Sequence, residues 1–157
     1  MEKIKTITPH LWYDTEARQA AEFYVSIFPG SKIKSVRTID GTPSGKVDIV
    51  SFELCKQPFM AISAGPLFKF NESVSFMIHC DNQEEIDYYW HNLTEGGEEQ
   101  PCGWLKDKFG LSWQIVPSEM DRMMETGTAK QVGRVTIAFL QMKKFDIDTL
   151  HKAFAIS

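Results

Sequence analysis

The segments SVSFMIHCD (73–81), NQEEIDYYWHNL (82–93) and TEGG (94–97) decide the fold, because their pattern has already occurred once. An apolar strand runs to an aspartate, an amphipathic helix follows, and glycine stops it. The earlier copy is ITPHLWYD (7–14), TEARQAAEFYVSIF (15–28) and Pro29-Gly30. Self-similarity at this scale bounds the fold before any motif is read. A duplicated strand–helix–strands module places its useful surface in a cleft between the copies.

Working outward, residues 4–13 read as a strand. Asp14 or Thr15 is positioned to cap the first helix, since a short acceptor side chain there satisfies free backbone N–H groups. Ala17, Ala20, Ala21, Tyr24, Ile27 and Phe28 make its apolar stripe. KIKSVRTI (32–39), KVDIVSFEL (46–54) and FMAIS (59–63) read as three strands of an antiparallel meander. The second copy repeats β-α-β-β-β with its middle strand shortened. Glu84 and Glu85 stand three residues after Asp81 and Asn82, the spacing of a capping box. Ile86, Tyr89, Trp90 and Leu93 form the second apolar stripe. Beyond Pro117, Ser118 is a candidate cap for a short helix ending at Gly127, apolar spacing predicts a helix over 128–142, and Asp146 caps a last short helix. The fold class is therefore α+β: tandem βαβββ modules forming a curved mixed sheet around a cleft, with a C-terminal helical appendage. The chain reads as a single domain over 1–157, with module one at about 4–64, module two at about 73–118 and the extension at about 119–157.

Composition excludes several function classes. A net charge of −4 without any basic run argues against nucleic acid and anionic membranes as partners. No apolar stretch approaches the roughly 20 residues of a membrane span. The charged start MEKIKTITPH is not that of a signal peptide. Cys55, Cys80 and Cys102 form neither a CxxC pair nor a disulfide framework, which points to the reducing cytoplasm.

Two tandem β-α-β-β-β modules resemble the vicinal-oxygen-chelate superfamily of glyoxalase I, bleomycin-resistance proteins and extradiol dioxygenases. Within it, the chain resembles the PhnB-like family, whose domain label is 3-demethylubiquinone-9 3-methyltransferase. The resemblance runs through His10-Leu11-Trp12-Tyr13-Asp14, Ala20-Ala21-Glu22-Phe23-Tyr24, Phe28-Pro29-Gly30-Ser31 and Gln57-Pro58-Phe59-Met60-Ala61. It continues through Gly65-Pro66, Phe68-Lys69-Phe70-Asn71-Glu72, Gly103-Trp104, Asp107, Gly110 and Ser112-Trp113-Gln114, and MKKFDIDTL (142–150) resembles the family's C-terminal helix.

The resemblance implies four metal-ligand positions, early in each module's first strand and late in its last. They fall here on Thr8, Ser75, Ala61 or Ser63, and Gln114. None offers the imidazole or carboxylate that divalent ions favour, so no metal and no other cofactor is expected. A register shifted along the strands would instead use His10, Glu53 and His79. The plainer reading gives His10 the cleft rim, Glu53 a solvated face and His79 a place beside a helix start. Asp14 and Asp81, at identical places in the two copies, read as helix caps rather than a catalytic pair, and no Ser-His-Asp or Cys-His arrangement comes together. A methyltransferase using S-adenosylmethionine needs a glycine-rich strand-to-helix turn; Tyr13-Asp14-Thr15-Glu16 contains no glycine.

What is left for the cleft is neutral polar groups and aromatics: Thr8, His10, Trp12, Ser63, Ser75 and Gln114, with Phe68 and Trp104 from covering loops. Such a mixture suits a small apolar or aromatic molecule. The favoured function is metal-free small-molecule binding. The alternatives are a metal-dependent isomerase, lyase or dioxygenase, an enzyme using His10 or Glu53 as general base, and the methyltransferase of the family label. A homodimer is expected, because curved sheets leave edges that a second copy can cover, with Met120, Met123, Met124 and Met142 as adaptable contact surface.

Overall fold

The computed structural model describes residues 5–156. They fall into two compact units, Met1–Phe70 and Asn71–Ser157.

In the first unit the order is β1 (His10–Tyr13), α1 (Ala17–Ile27), β2 (Lys32–Thr42), β3 (Gly45–Leu54) and β4 (Gln57–Ser63). The sheet order is β1-β4-β3-β2. Strands β2, β3 and β4 form the expected antiparallel meander, and β1 pairs with β4 in parallel, His10 beside Met60 and Trp12 beside Ile62. A parallel pair needs a crossover, and α1 with the meander supplies it. Helix α1 buries Ala17, Ala20, Ala21, Tyr24 and Ile27 on one face of this sheet, against Val50 and Phe52 among others. The other face carries His10, Trp12, Met60, Ile62, Ile49 and Ser51, as their shared register and the alternation of strand side chains require. The β3–β4 hairpin turns in two residues, Cys55 (φ 48°) and Lys56 (φ 69°). Both hold the left-handed conformation that a tight turn matching strand twist demands.

The second unit repeats the plan with β5 (Ser75–Cys80), α2 (Gln83–Thr94), β6 (Glu98–Glu99), β7 (Trp104–Lys106) and β8 (Ser112–Pro117), in sheet order β5-β8-β7-β6. The expected shortening falls on β6 and β7. Helices α3 (Ser118–Thr126), α4 (Ala129–Leu140) and α5 (Ile147–Ala155) follow and share a small core of Met123, Val135 and Leu150, with Met120, Phe139, Met142 and Phe154 packed on it.

Some local expectations are corrected and others hold. The first strand starts at His10 rather than residue 4. Residues 5–9 are not strand, and residue 4 lies outside the described residues. Pro9 has no N–H for a ladder, although its carbonyl accepts the Met60 N–H. Neither Asp14 nor Thr15 caps α1: the Ala17 N–H is bound by Ser63 Oγ at 3.0 Å, from β4. At α2 the cap is Asn82, whose Oδ1 accepts the Glu85 N–H, while Glu85 Oε2 returns to the Asp81 N–H. Asp81 instead accepts the hydroxyl of Ser118, which is the first residue of α3 rather than its cap. The predicted helix over 128–142 forms over Ala129–Leu140, with Thr128 and Gln131 making a reciprocal capping box. Of the methionines offered as contact surface, Met123 is buried in the core of the extension, Met120 and Met142 are half-buried against it, and Met124 is exposed.

The extension is tied to the second sheet through main-chain atoms. Cys102 N–H donates to Met142 O and Gly103 N–H to Lys143 O, both at 2.8 Å. The Gln83 amide donates to Phe145 O and accepts from Ile147 N–H, and Lys144 pairs with Asp87 at 2.6 Å, which holds the Asp87 carboxyl below its usual range. The Phe145 ring is buried against Gly103, where a Cβ would sit 2.5 Å from the ring and 2.8 Å from Ile115 O. Gly103 also has φ +80°, unfavourable for any side chain. Gly103→Ala should therefore lose about 2 kcal/mol or more, from backbone strain and overpacking together. Denaturant unfolding checks this, and a midpoint unchanged from wild type contradicts the packing described.

Candidate functional site

Each unit presents one sheet face to its helix, and the opposite face carries most of the site residues expected from sequence. In the first unit, Trp12 donates its indole N–H to Gly65 O at 2.9 Å. The Phe68 ring meets it edge-on, 5.0 Å between centroids at 79°. Trp12 and Phe68 are thus brought together, and Phe68 stays more than half exposed. His10 is exposed on the same face, one alternation before Trp12. Thr8 is exposed and precedes the strand. Ser63 is on the opposite face: its hydroxyl caps α1, and it borders a polar hollow of about 360 Å³ with Asp14, Thr15, Ser44, Lys46 and Asp48.

In the second unit, Ser75 and Gln114 are in direct contact, with Gln114 Nε2 donating to Ser75 Oγ at 2.9 Å. The strand register explains the contact. Ser75 lies beside Ser112 and Met77 beside Gln114 across the parallel β5–β8 pair, while Trp104 stands opposite Gln114 across β7–β8. Gln114 is flanked on one rung by Met77 and Trp104. Trp104 is therefore a strand residue, not the loop residue expected. An open groove of about 550 Å³ runs along it, lined by Glu72, Glu98, Gln100, Cys102 and Lys143 among others.

Sequence reading passed over Ser112, although it shares the Gln114 face. It is 0% exposed, and its hydroxyl has no hydrogen-bond partner among the described residues. Its neighbour across the antiparallel pair is Lys106, ion-paired with Glu72 at 2.5 Å. That pairing lowers the Glu72 pKa and raises that of Lys106.

Beneath the face, Asp107 is 2% exposed and organises the turn into β8. Its Oδ1 accepts the N–H groups of Phe109 and Leu111, and Oδ2 accepts the Trp113 indole at 2.9 Å. Burial of the Trp113 ring opposite Gln114 fixes which way Gln114 faces.

The shifted-register ligands have other commitments. Glu53 pairs with Lys34 at 3.0 Å, and the bond from Lys34 lowers its pKa. His79 Nδ1 lies 3.2 Å from Asp121 of α3. Among the described residues, no three His, Cys, Asp or Glu side chains gather as metal donors would. The superfamily positions carry hydroxyls, a methyl group and an amide, and two of them bond to each other. This donor set does not fit a divalent ion. His91 and His151 are on α2 and α5, and His151 pairs with Glu119.

Two parallel-closed β-α-β-β-β units of this kind define a glyoxalase/bleomycin-resistance-like fold. Residues 5–116 match the family described as 3-demethylubiquinone-9 3-methyltransferase, and the chain belongs to that PhnB-like family. A PhnB protein from Bacillus cereus is 30% identical, with a TM-score of 0.65 over 73% of this chain and 100% of that one. A Pseudomonas aeruginosa protein shares the fold at 18% identity and TM-score 0.62, over 73% and 98% of the two chains. A fosfomycin resistance protein, FosX, from Listeria monocytogenes does so at 13% identity and TM-score 0.54, over 79% and 99%. No curated protein matches the chain.

Two outcomes test this geometry. Removing the α1 cap with Ser63→Ala should cost about 1 kcal/mol, read from denaturant unfolding. The three cysteines are free thiols, Cys55 exposed and Cys80 buried with its pKa pushed up to about 12, mainly by burial. Iodoacetamide should label Cys55 well before Cys80 in native protein at mildly alkaline pH, because the thiolate is the nucleophile. Peptide mass spectrometry reads the order; equal rates would contradict the burial.

Proposed function

We propose that the chain is a small-molecule binding protein that holds an apolar or aromatic compound without a metal, at the sheet face that carries Ser75 and Gln114. The observation that carries this reading is the hydrogen bond between Ser75 and Gln114. Two of the positions at which metal-dependent relatives place ligands are here an uncharged pair satisfying each other. Beside them, in the same unit, stand Met77 and Trp104, which supply apolar and aromatic surface with few polar groups; the first unit carries Trp12 on its own sheet, with Phe68 against it. That combination is how small-molecule sites are commonly built. The methyltransferase in the family's name finds no support at the first strand-to-helix turn, where Tyr13–Glu16 has no glycine to admit a nucleotide.

We place the protein in the cytoplasm as a homodimer. Its free cysteines support the first statement. Among the described residues no helix is long and apolar enough to cross a membrane. The dimer is supported by Val36 and Ile39, exposed on β2, an edge strand of its sheet, since an apolar edge invites a second chain.

The reading is tested on protein purified without chelator. Metal should be well below one equivalent by elemental analysis, and an aromatic ligand at a hundredfold excess over its Kd should stabilise the fold by about 2.7 kcal/mol. Stoichiometric metal that is lost in His10→Ala or His79→Ala would sink the proposal. So would a thermal shift with S-adenosylmethionine alone. Light scattering showing a monomer would remove the dimer.

A further inference from the structure

The polar hollow at the start of α1 lies wholly in the first unit, apart from Ser75 and Gln114. Two of its lining residues share one rung of the sheet. Asp48 stands opposite Ser63 across β3–β4, and opposite Thr38 across β2–β3. The rung lies on the α1 face, since Asp48 alternates with the buried Val50 and Phe52. Asp14 and Thr15 from the turn into α1, with Ser44 and Lys46 from the β2–β3 hairpin, complete the lining.

The hydrogen bonds already made decide what is left for a ligand. Asp48 Oδ1 accepts the Thr38 hydroxyl at 2.7 Å, and Oδ2 takes no donor among the described residues. Ser63 Oγ accepts the Ala17 N–H, so its own proton is left to donate. One rung therefore sets a carboxylate acceptor beside a hydroxyl donor, with Cβ atoms about 5 Å apart. Among the described residues, neither the Asp14 carboxylate nor the Lys46 ammonium has a hydrogen bond or ion pair.

The charges are mixed, and they oppose ions of either sign. An anion gains Lys46 and the positive end of the α1 dipole but meets Asp14 and Asp48. Glu16, whose Oε2 accepts the Thr15 N–H, adds a third carboxylate nearby. A cation gains the carboxylates but meets Lys46 and the same helix end, while Arg18 is already paired with Glu22. An apolar compound finds no aromatic ring in the lining and would desolvate both charges without replacing their hydrogen bonds. A neutral polyol suits both, because each hydroxyl donates one hydrogen bond and accepts others.

We propose that this hollow is a second binding site, for a neutral polyhydroxylated molecule the size of one sugar ring, held by a vicinal diol. One hydroxyl of the diol donates to Asp48 Oδ2 and its neighbour accepts the Ser63 proton, so the pair spans the rung. Asp14 and Lys46 meet the remaining hydroxyls. The volume of about 360 Å³ admits one such ring with bridging water.

Four probes test this on the full chain, each followed by amide chemical shifts: myo-inositol, cyclohexanol, inorganic phosphate and methylammonium. Inositol should shift the amides of Thr15, Ser44, Lys46, Asp48 and Ser63, with a Kd on the order of millimolar. Cyclohexanol, the same ring with one hydroxyl, should bind about tenfold more weakly. Asp48→Asn keeps an acceptor for Thr38 but removes the charge, and should weaken inositol about tenfold. Asp14→Asn, in a turn rather than a strand, guards against a packing defect in the first variant and should weaken it about threefold. Inositol shifts that are absent or scattered over the surface would overturn the proposal. So would an affinity unchanged in both variants, or any of the other three probes binding these residues as tightly as inositol. The site at Ser75 and Gln114 is unaffected by either result.

Discussion

Parallel pairing of the first strand of each unit with its last is the constraint on which the rest depends. In each unit the chain leaves one strand, crosses over a helix and two further strands, and returns beside its starting point, β1 with β4 and β5 with β8. A hairpin cannot make a parallel pair, so the helix is a topological necessity as well as a cover for one face. The same pairing places residues far apart in sequence on one rung. Ser75 and Gln114 are separated by the whole of α2, β6 and β7, yet the register leaves them within one hydrogen bond. Ser63 reaches the first turn of α1 by the same route. The helix start and the candidate site are thus products of one register, and a slip by one residue would turn every side chain named here to the opposite face.

Electrostatics play a secondary part. The ion pairs Lys34–Glu53, Lys106–Glu72 and Lys144–Asp87 are at or near the surface, where such pairs add little stability. They matter more for what they remove from play. Glu53, the carboxylate best placed to serve as a shifted metal donor or a base, is committed to Lys34. Among the described residues Asp107 is the one deeply buried carboxyl group; it accepts three hydrogen bonds and organises a turn, so it supports architecture rather than chemistry.

Much of this was legible in the chain itself. The strand–aspartate–helix repeat gave both units, the apolar stripes gave α1 and α2, and spacing across fifteen residues gave α4 although VTIAFL alone reads as a strand. That Ser75 and Gln114 share a sheet face followed from the family resemblance, with alternation along each strand adding Met77 and Ser112 to it. Three features were not legible, for one physical reason. The cap of α1 comes from a hydroxyl 46 residues away, not from the adjacent Asp14 or Thr15. Trp104 belongs to a strand only three residues long, defined by its partners rather than by its own composition. Ser112 stands out only once its burial and lack of a partner are known. Each depends on tertiary neighbours that local pattern cannot supply.

The slot between Gly103 and Phe145 bears on how the protein could be divided or recombined. The family match covers residues 5–116 and Phe145 lies beyond it, yet its ring sits where only a glycine leaves room. The appended helices are accordingly part of the second unit's interior rather than a detachable tail. Truncation after Pro117 would leave an apolar hollow at Gly103 and strip the backbone N–H groups of Cys102 and Gly103 of their acceptors. Grafting the same helices onto a relative would succeed only where that slot is already open. The boundary of the family match and the boundary of the cooperative structure are different lines.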